Sequence, residues 1–104
     1  MTTVGVKQRV LTEIGNRWGE SDAHGVDLRK CLVQPELRQF ISGFDEKVSF
    51  PLWIVLKEDP AGNSGYMIVY DEDEDNFGLA VSDVNQGLTY IGTHGSFMDT
   101  LEGM

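Results

Sequence analysis

Apolar residues recur with two distinct periods along this chain. In residues 4–18, Val6, Val10, Ile14 and Trp18 return every four positions with Leu11 beside them. Lys7, Arg9, Thr12, Glu13 and Arg17 take much of the remaining circumference. That spacing predicts an amphipathic helix with Thr2 or Thr3 as its N-cap and Gly19 as its stop. A glycine inside it, Gly15, would cost about 1 kcal/mol relative to alanine, so the stripe is expected to gain its stability by docking on a core.

Beyond the polar stretch ESDAHGVD (20–27) the period shortens. LRKCLV (28–33) fits either a short helix or a strand, and Pro35 is expected to mark a break. In residues 36–42, Leu37, Gln39 and Ile41 alternate against Glu36, Arg38 and Phe40, which predicts a strand. VSFPLWIVLKE (48–58) places Val48, Phe50, Leu52, Ile54 and Leu56 on one side, with Pro51 at the start of its strand or at a sheet edge. YMIVY (66–70), FGLAVS (77–82) and LTYIG (88–92) read as further strands. Residues 59–65 and SDVNQG read as turns, and SFMDTLEGM as a short helix capped by Ser96.

Connections this short imply antiparallel neighbours, because parallel strands need crossovers of a dozen or more residues. The expectation is one α+β domain over residues 1–104: an N-terminal helix on one face of an antiparallel meander of four to five strands, then a short C-terminal helix. The 104 residues suffice for a core without disulfides, and the single cysteine cannot form one internally.

Charge changes the picture. The formal net charge is −9, unevenly spread: residues 1–57 hold all eight Lys and Arg against seven acids, and residues 58–104 hold ten acids and no Lys or Arg. Such a balance argues against nucleic acid and against an anionic membrane surface as direct ligands. The start, MTTVGVKQRV, lacks the basic-then-apolar pattern of a secretory leader, and FPLWIVL is far shorter than the roughly 20 apolar residues that span a bilayer. A cytoplasmic, bacterial protein is the expectation.

The acidic maximum is DEDEDN, residues 71–76. Asp71, Asp73 and Asp75 match the first three ligand positions of a calcium-binding loop, but Asn76 stands where that loop needs glycine and Ser82 where it needs the closing glutamate. Three readings remain: the solvated end of a hairpin, a docking surface formed by Asp71, Glu72, Asp73, Glu74 and Asp75 for a basic protein partner, or a weak adventitious divalent-cation site.

Catalytic constellations are sparse. Cys31 lies in an apolar setting, where burial keeps a thiol inert. His24 and His94 each precede a glycine, and nothing in the sequence brings them together into a metal or acid–base site. Residues 94–96, HGS, precede the terminal helix, where an anion site is conceivable and a plain Ser96 cap the simpler use. Phosphate-binding glycine motifs and Cys/His metal quartets are absent. Alternation turns Trp53 away from Phe50, Leu52 and Ile54. On a sheet covered on one face only, Trp53 and Val55 would lie open with some of Tyr66, Tyr70 and Tyr90, an aromatic patch suited to a partner or a homodimer.

The reading these residues favour is a small acidic non-enzymatic interaction domain, immunity- or inhibitor-like, without cofactor or resident metal. It would bind a basic protein through its C-terminal half. The alternatives are a small-ligand or divalent-metal domain using His24, His94 and the acids, and a structural homo-oligomer.

Overall fold

The computed structural model describes residues 2–16, 28–43, 47–59, 64–83 and 87–103. The element order is α1 (Thr3–Ile14), α2 (Leu28–Cys31), β1 (Leu32–Ser42), β2 (Ser49–Asp59), β3 (Ser64–Asp71), β4 (Asn76–Asp83), β5 (Gly87–Gly95) and α3 (Phe97–Glu102). This is the expected α+β order of a helix, a five-stranded meander and a short helix.

Helix α1 starts at Thr2, whose Oγ1 accepts a hydrogen bond from the Gly5 amide at 3.1 Å and so satisfies one orphan donor of the first turn. It ends earlier than the sequence suggests. Gly15 adopts φ +57° and donates its N–H to the Leu11 carbonyl, so this glycine is the cap and not an interior weak point. The expected continuation through Trp18 to Gly19 lies outside the described residues. Val6, Val10 and Ile14 are buried as the period of four requires.

The ambiguity at 28–33 resolves into both elements: one helical turn, then a strand that begins at Leu32. Pro35 does not break that strand. Leu32 faces Leu56 and Glu36 faces Ile54 across the β1–β2 pair, so β1 carries extra residues around the proline. An irregularity of this kind is where a residue without N–H is tolerated. Pro51 lies where β2 pairs with β1 alone, ahead of the first β2–β3 pair at Trp53 and Tyr70.

Successive strands pair antiparallel, and the meander then closes on itself as a barrel. The seam is a short parallel pairing of Ile41 with Thr89 and Ser42 with Tyr90, extended by Gly43 N–H donating to the Tyr90 carbonyl at 2.8 Å. The parallel sense follows from the odd strand number, because the first and fifth strands of a meander run the same way.

Closure gives the sheet two buried faces where a one-sided layer was expected. Phe40, Leu52, Ile54, Met67, Val69 and Ala80 form one cluster with Phe50, Leu88 and Tyr90 at its margin. The helical residues belong to the other cluster, which takes Trp53, Val55, Ile68, Tyr70, Phe77 and Leu79 from the strands. Since the two sets alternate along β2, β3 and β4 and only the second meets helices, the first fills the barrel interior. The expected single stripe on β2 breaks at Leu56. A register shift between Ile54 and Leu56 inserts Val55 as an extra residue, and Leu56 joins Val55 in the helix-facing cluster. Cys31 is buried there, its Sγ 3.8 Å from the Glu58 carbonyl. Among the described residues, no helix is long and apolar enough to cross a membrane.

Candidate functional site

The turn between β3 and β4 is built by its own acids. Asp71 pairs with Asn76 as the last rung of the ladder. Its Oδ1 accepts from the backbone amides of Asp73 at 3.0 Å and Glu74 at 3.4 Å, a local side-chain turn of the kind aspartate favours. Asp75 takes φ +51°, a left-handed conformation that Asp and Asn enter more readily than most residues.

Asp75 also ties the turn to the helices. Its Oδ1 accepts from the Tyr70 hydroxyl at 2.6 Å and from Arg9 Nε at 3.1 Å. Arg9 Nη1 reaches Glu13 Oε2 at 2.9 Å, and Glu13 Oε1 accepts from the Phe97 amide at 3.0 Å, at the start of α3. A continuous polar chain thus runs from the hairpin through α1 to α3. The Tyr70 hydroxyl, and after it Arg9, hold the Asp75 carboxyl below the usual carboxylate range. Burial, and then the Asp75 carboxylate, push the Tyr70 phenol up to about 12.

A raised phenol pKa favours the folded state below its unfolded value of 10.0, and that contribution is lost as pH climbs toward about 12. A spectrophotometric titration should therefore contain a phenol component that ionises at about 12, and Tyr70→Phe should remove it. If every phenol ionised near 10.0 in the folded protein, the Tyr70–Asp75 contact would be refuted.

The five sequence-selected acids consequently differ in use. Asp71 and Asp75 hold the turn, and Glu72 Oε1 accepts from the Trp53 indole Nε1 at 3.4 Å. The carboxylates of Asp73 and Glu74 are exposed and make no hydrogen bond or ion pair with described residues. No group of three or more His, Cys, Asp or Glu is placed to hold a metal ion among the described residues.

Trp53 requires a correction. It is only 7% exposed and packs in the cluster beneath the helices, because the helices cover its face while closure encloses the opposite one. Tyr70 is buried with it, and Tyr90 packs edge-on against Phe50 at 5.5 Å. Of the four aromatics expected to form an open patch, Tyr66 alone is exposed, and the aromatic argument for a homodimer falls with that patch. Val4, Leu37, Val48 and Ile91 are also exposed, on α1, β1, the approach to β2 and β5.

His94 is exposed, and its imidazole lies against the C-terminal end of α3, 3.1 Å from where a Cβ on Gly103 would stand. His24 lies outside the described residues. Ser96 caps α3 by accepting from the Asp99 amide at 3.1 Å, and the Glu13 carboxylate already occupies the Phe97 amide. The start of α3 is thus satisfied from within the chain.

One set of residues escaped the sequence reading. On β1 the side that turns inward is that of Phe40, which carries Glu36 and Arg38 with it, and the apolar Leu37 and Ile41 lie on the outer side. Glu36 and Arg38 pair at 2.9 Å at one end of the barrel. The sequence signal available was the one aromatic, Phe40, in the set that holds Glu36 and Arg38. Compared with known proteins, the chain matches no family model, no curated protein and no solved structure.

Proposed function

We propose that this domain is a non-enzymatic interaction module that docks a basic protein partner through the acidic β3–β4 end, in an immunity- or inhibitor-like role. The observation that carries this reading is the division of labour within the acidic turn. Asp71 and Asp75 fix its backbone, and the exposed carboxylates of Asp73 and Glu74 make no hydrogen bond or ion pair with described residues. A turn pinned to α1 through Arg9 presents those charges with little left to order on binding, which lowers the cost of association. Residues 58–104 contribute ten acids and no Lys or Arg, so the surrounding field attracts a cation-rich surface and speeds encounter. Docking by strand addition is a weaker reading: β1 meets β5 only at Ile41 and Ser42, but its free stretch carries Pro35 and the charged Glu36 and Arg38, which discourage an added strand.

The test is affinity capture with the wild type and with an Asp73→Asn/Glu74→Gln variant, followed by identification and titration of the recovered partner. Both positions are exposed, so the variant should melt like the wild type, within about 0.5 kcal/mol. Its affinity for a basic partner should fall about tenfold at low salt, the loss of two screened charge contacts. Recovery of the same partner with undiminished affinity would remove the acidic-end reading.

A further inference from the structure

We propose that the barrel mouth opposite the acidic turn is a binding site for a small zwitterion with an apolar body, the chemistry of a free aliphatic α-amino acid. Strand β1 pairs with β5 at Ile41 with Thr89 and Ser42 with Tyr90, and β5 begins at Gly87. The stretch of β1 before Gln39 therefore runs past the start of β5, which offers it no partner. A cavity of about 250 Å³ opens into the interior there. Ile54, Met67 and Leu88 form its apolar floor, and Glu36 and Arg38 stand at its rim. A cavity of about 150 Å³ holds benzene, and drug-sized pockets begin at about 300 Å³. Leucine, with nine non-hydrogen atoms against the six of benzene, falls between these sizes, and barrel mouths are a recurrent place for such ligands.

The rim selects the head group by its balance. Glu36 and Arg38 lie two apart on β1 and so project from the same side, where Arg38 Nη1 donates to Glu36 Oε1 at 2.9 Å. Lys57 also lines the cavity but already has an interaction of its own, so the rim carries no surplus charge of either sign. A lone carboxylate that reached Arg38 would meet the like charge of Glu36, and a lone ammonium at Glu36 would meet that of Arg38. A ligand with both charges on one carbon sets its carboxylate beside Arg38 and its ammonium beside Glu36, so each of the four charges has neighbours of opposite sign. Both rim groups have the capacity. A guanidinium carries five N–H donors and a carboxylate about four lone-pair sites, and the contact between them uses one of each. The ligand's aliphatic chain then reaches the floor, where its burial supplies most of the affinity.

The experiment is a two-dimensional amide NMR titration of the full chain with leucine, N-acetylleucine, leucinamide and N-acetylleucinamide. These share one aliphatic chain and carry both charges, the negative alone, the positive alone and neither, at a fixed and slightly acidic pH. Leucine should shift the amides around Glu36, Arg38, Met67 and Leu88 saturably at millimolar concentration. Each of the other three should bind about fivefold more weakly or worse, the upper end for losing one exposed ion pair. Both rim side chains are about half exposed, so Arg38→Gln and Glu36→Gln should keep the wild-type spectrum away from the mouth. Arg38→Gln should abolish the preference for leucine over leucinamide, and Glu36→Gln the preference for leucine over N-acetylleucine. The proposal is overturned if leucine gives no saturable shift at millimolar concentration, if any of the three derivatives binds as tightly as leucine, or if either variant keeps the wild-type preferences. The Asp73→Asn/Glu74→Gln variant should bind leucine like the wild type, so this site and the acidic end can fail independently.

Discussion

Replacing Phe77 by alanine should cost the fold about 3–5 kcal/mol, the range for deleting a buried phenyl group. Phe77 is fully buried. Its ring lies 4.9 Å from that of Tyr70 and 5.6 Å, edge-on, from that of Phe97, with the Arg9 guanidinium 6.0 Å above its centroid. One side chain thus joins β3, β4, α1 and α3. A domain of this kind has only about 5–15 kcal/mol of net stability, so the variant should be marginal or unfolded at ambient temperature. Tyr66→Ala, on the same hairpin but 40% exposed, should change stability by no more than about 0.5 kcal/mol. Denaturant unfolding of both variants gives the comparison. Equal midpoints would show that the helices do not dock through Phe77.

The second large effect is expected at the next residue. Gly78→Ala should destabilise by about 1–3 kcal/mol, the usual cost of overpacking. A Cβ there would press on the Gly92 carbonyl oxygen and stand 2.6 Å from the Tyr90 hydroxyl and 2.7 Å from Tyr90 Cε1. The Gly92 contact is to backbone of the paired strand, so relief requires moving β5 away from β4, next to the seam that closes the barrel. Gly92→Ala is the control. A Cβ at Gly92 meets nothing within 4 Å, so that substitution should be neutral or stabilising by about 0.4–1 kcal/mol through the unfolded chain. A Gly78→Ala variant as stable as the wild type would contradict the close β4–β5 approach.

The order of elements was legible because local periods set it. Val6, Val10 and Ile14 at four-residue spacing and the alternating strands needed no long-range information. Barrel closure was not legible, since it depends on Ile41 and Ser42 meeting Thr89 and Tyr90, residues brought together only after the meander has coiled. The stripe on β2 was misjudged for a related reason. The bulge at Val55 shifts the phase of Leu56, and the side of β1 that turns inward is decided only once an interior exists to receive Phe40. Trp53 was placed outside because the sheet was taken as open. At the acidic run the hairpin itself was visible in the sequence. The tie from Asp75 to Arg9 was not, because it spans 66 positions, and it separates the acids that build the turn from Asp73 and Glu74, which face solvent.

That separation leads to the most direct measurement, the association rate of the captured partner at several ionic strengths for the wild type and for Asp73→Asn/Glu74→Gln. If the acidic end steers docking, the wild-type rate falls steeply with salt, the variant starts slower and falls less, and the two converge at high salt where exposed charges are screened. Parallel salt dependences with equal rates would contradict the account.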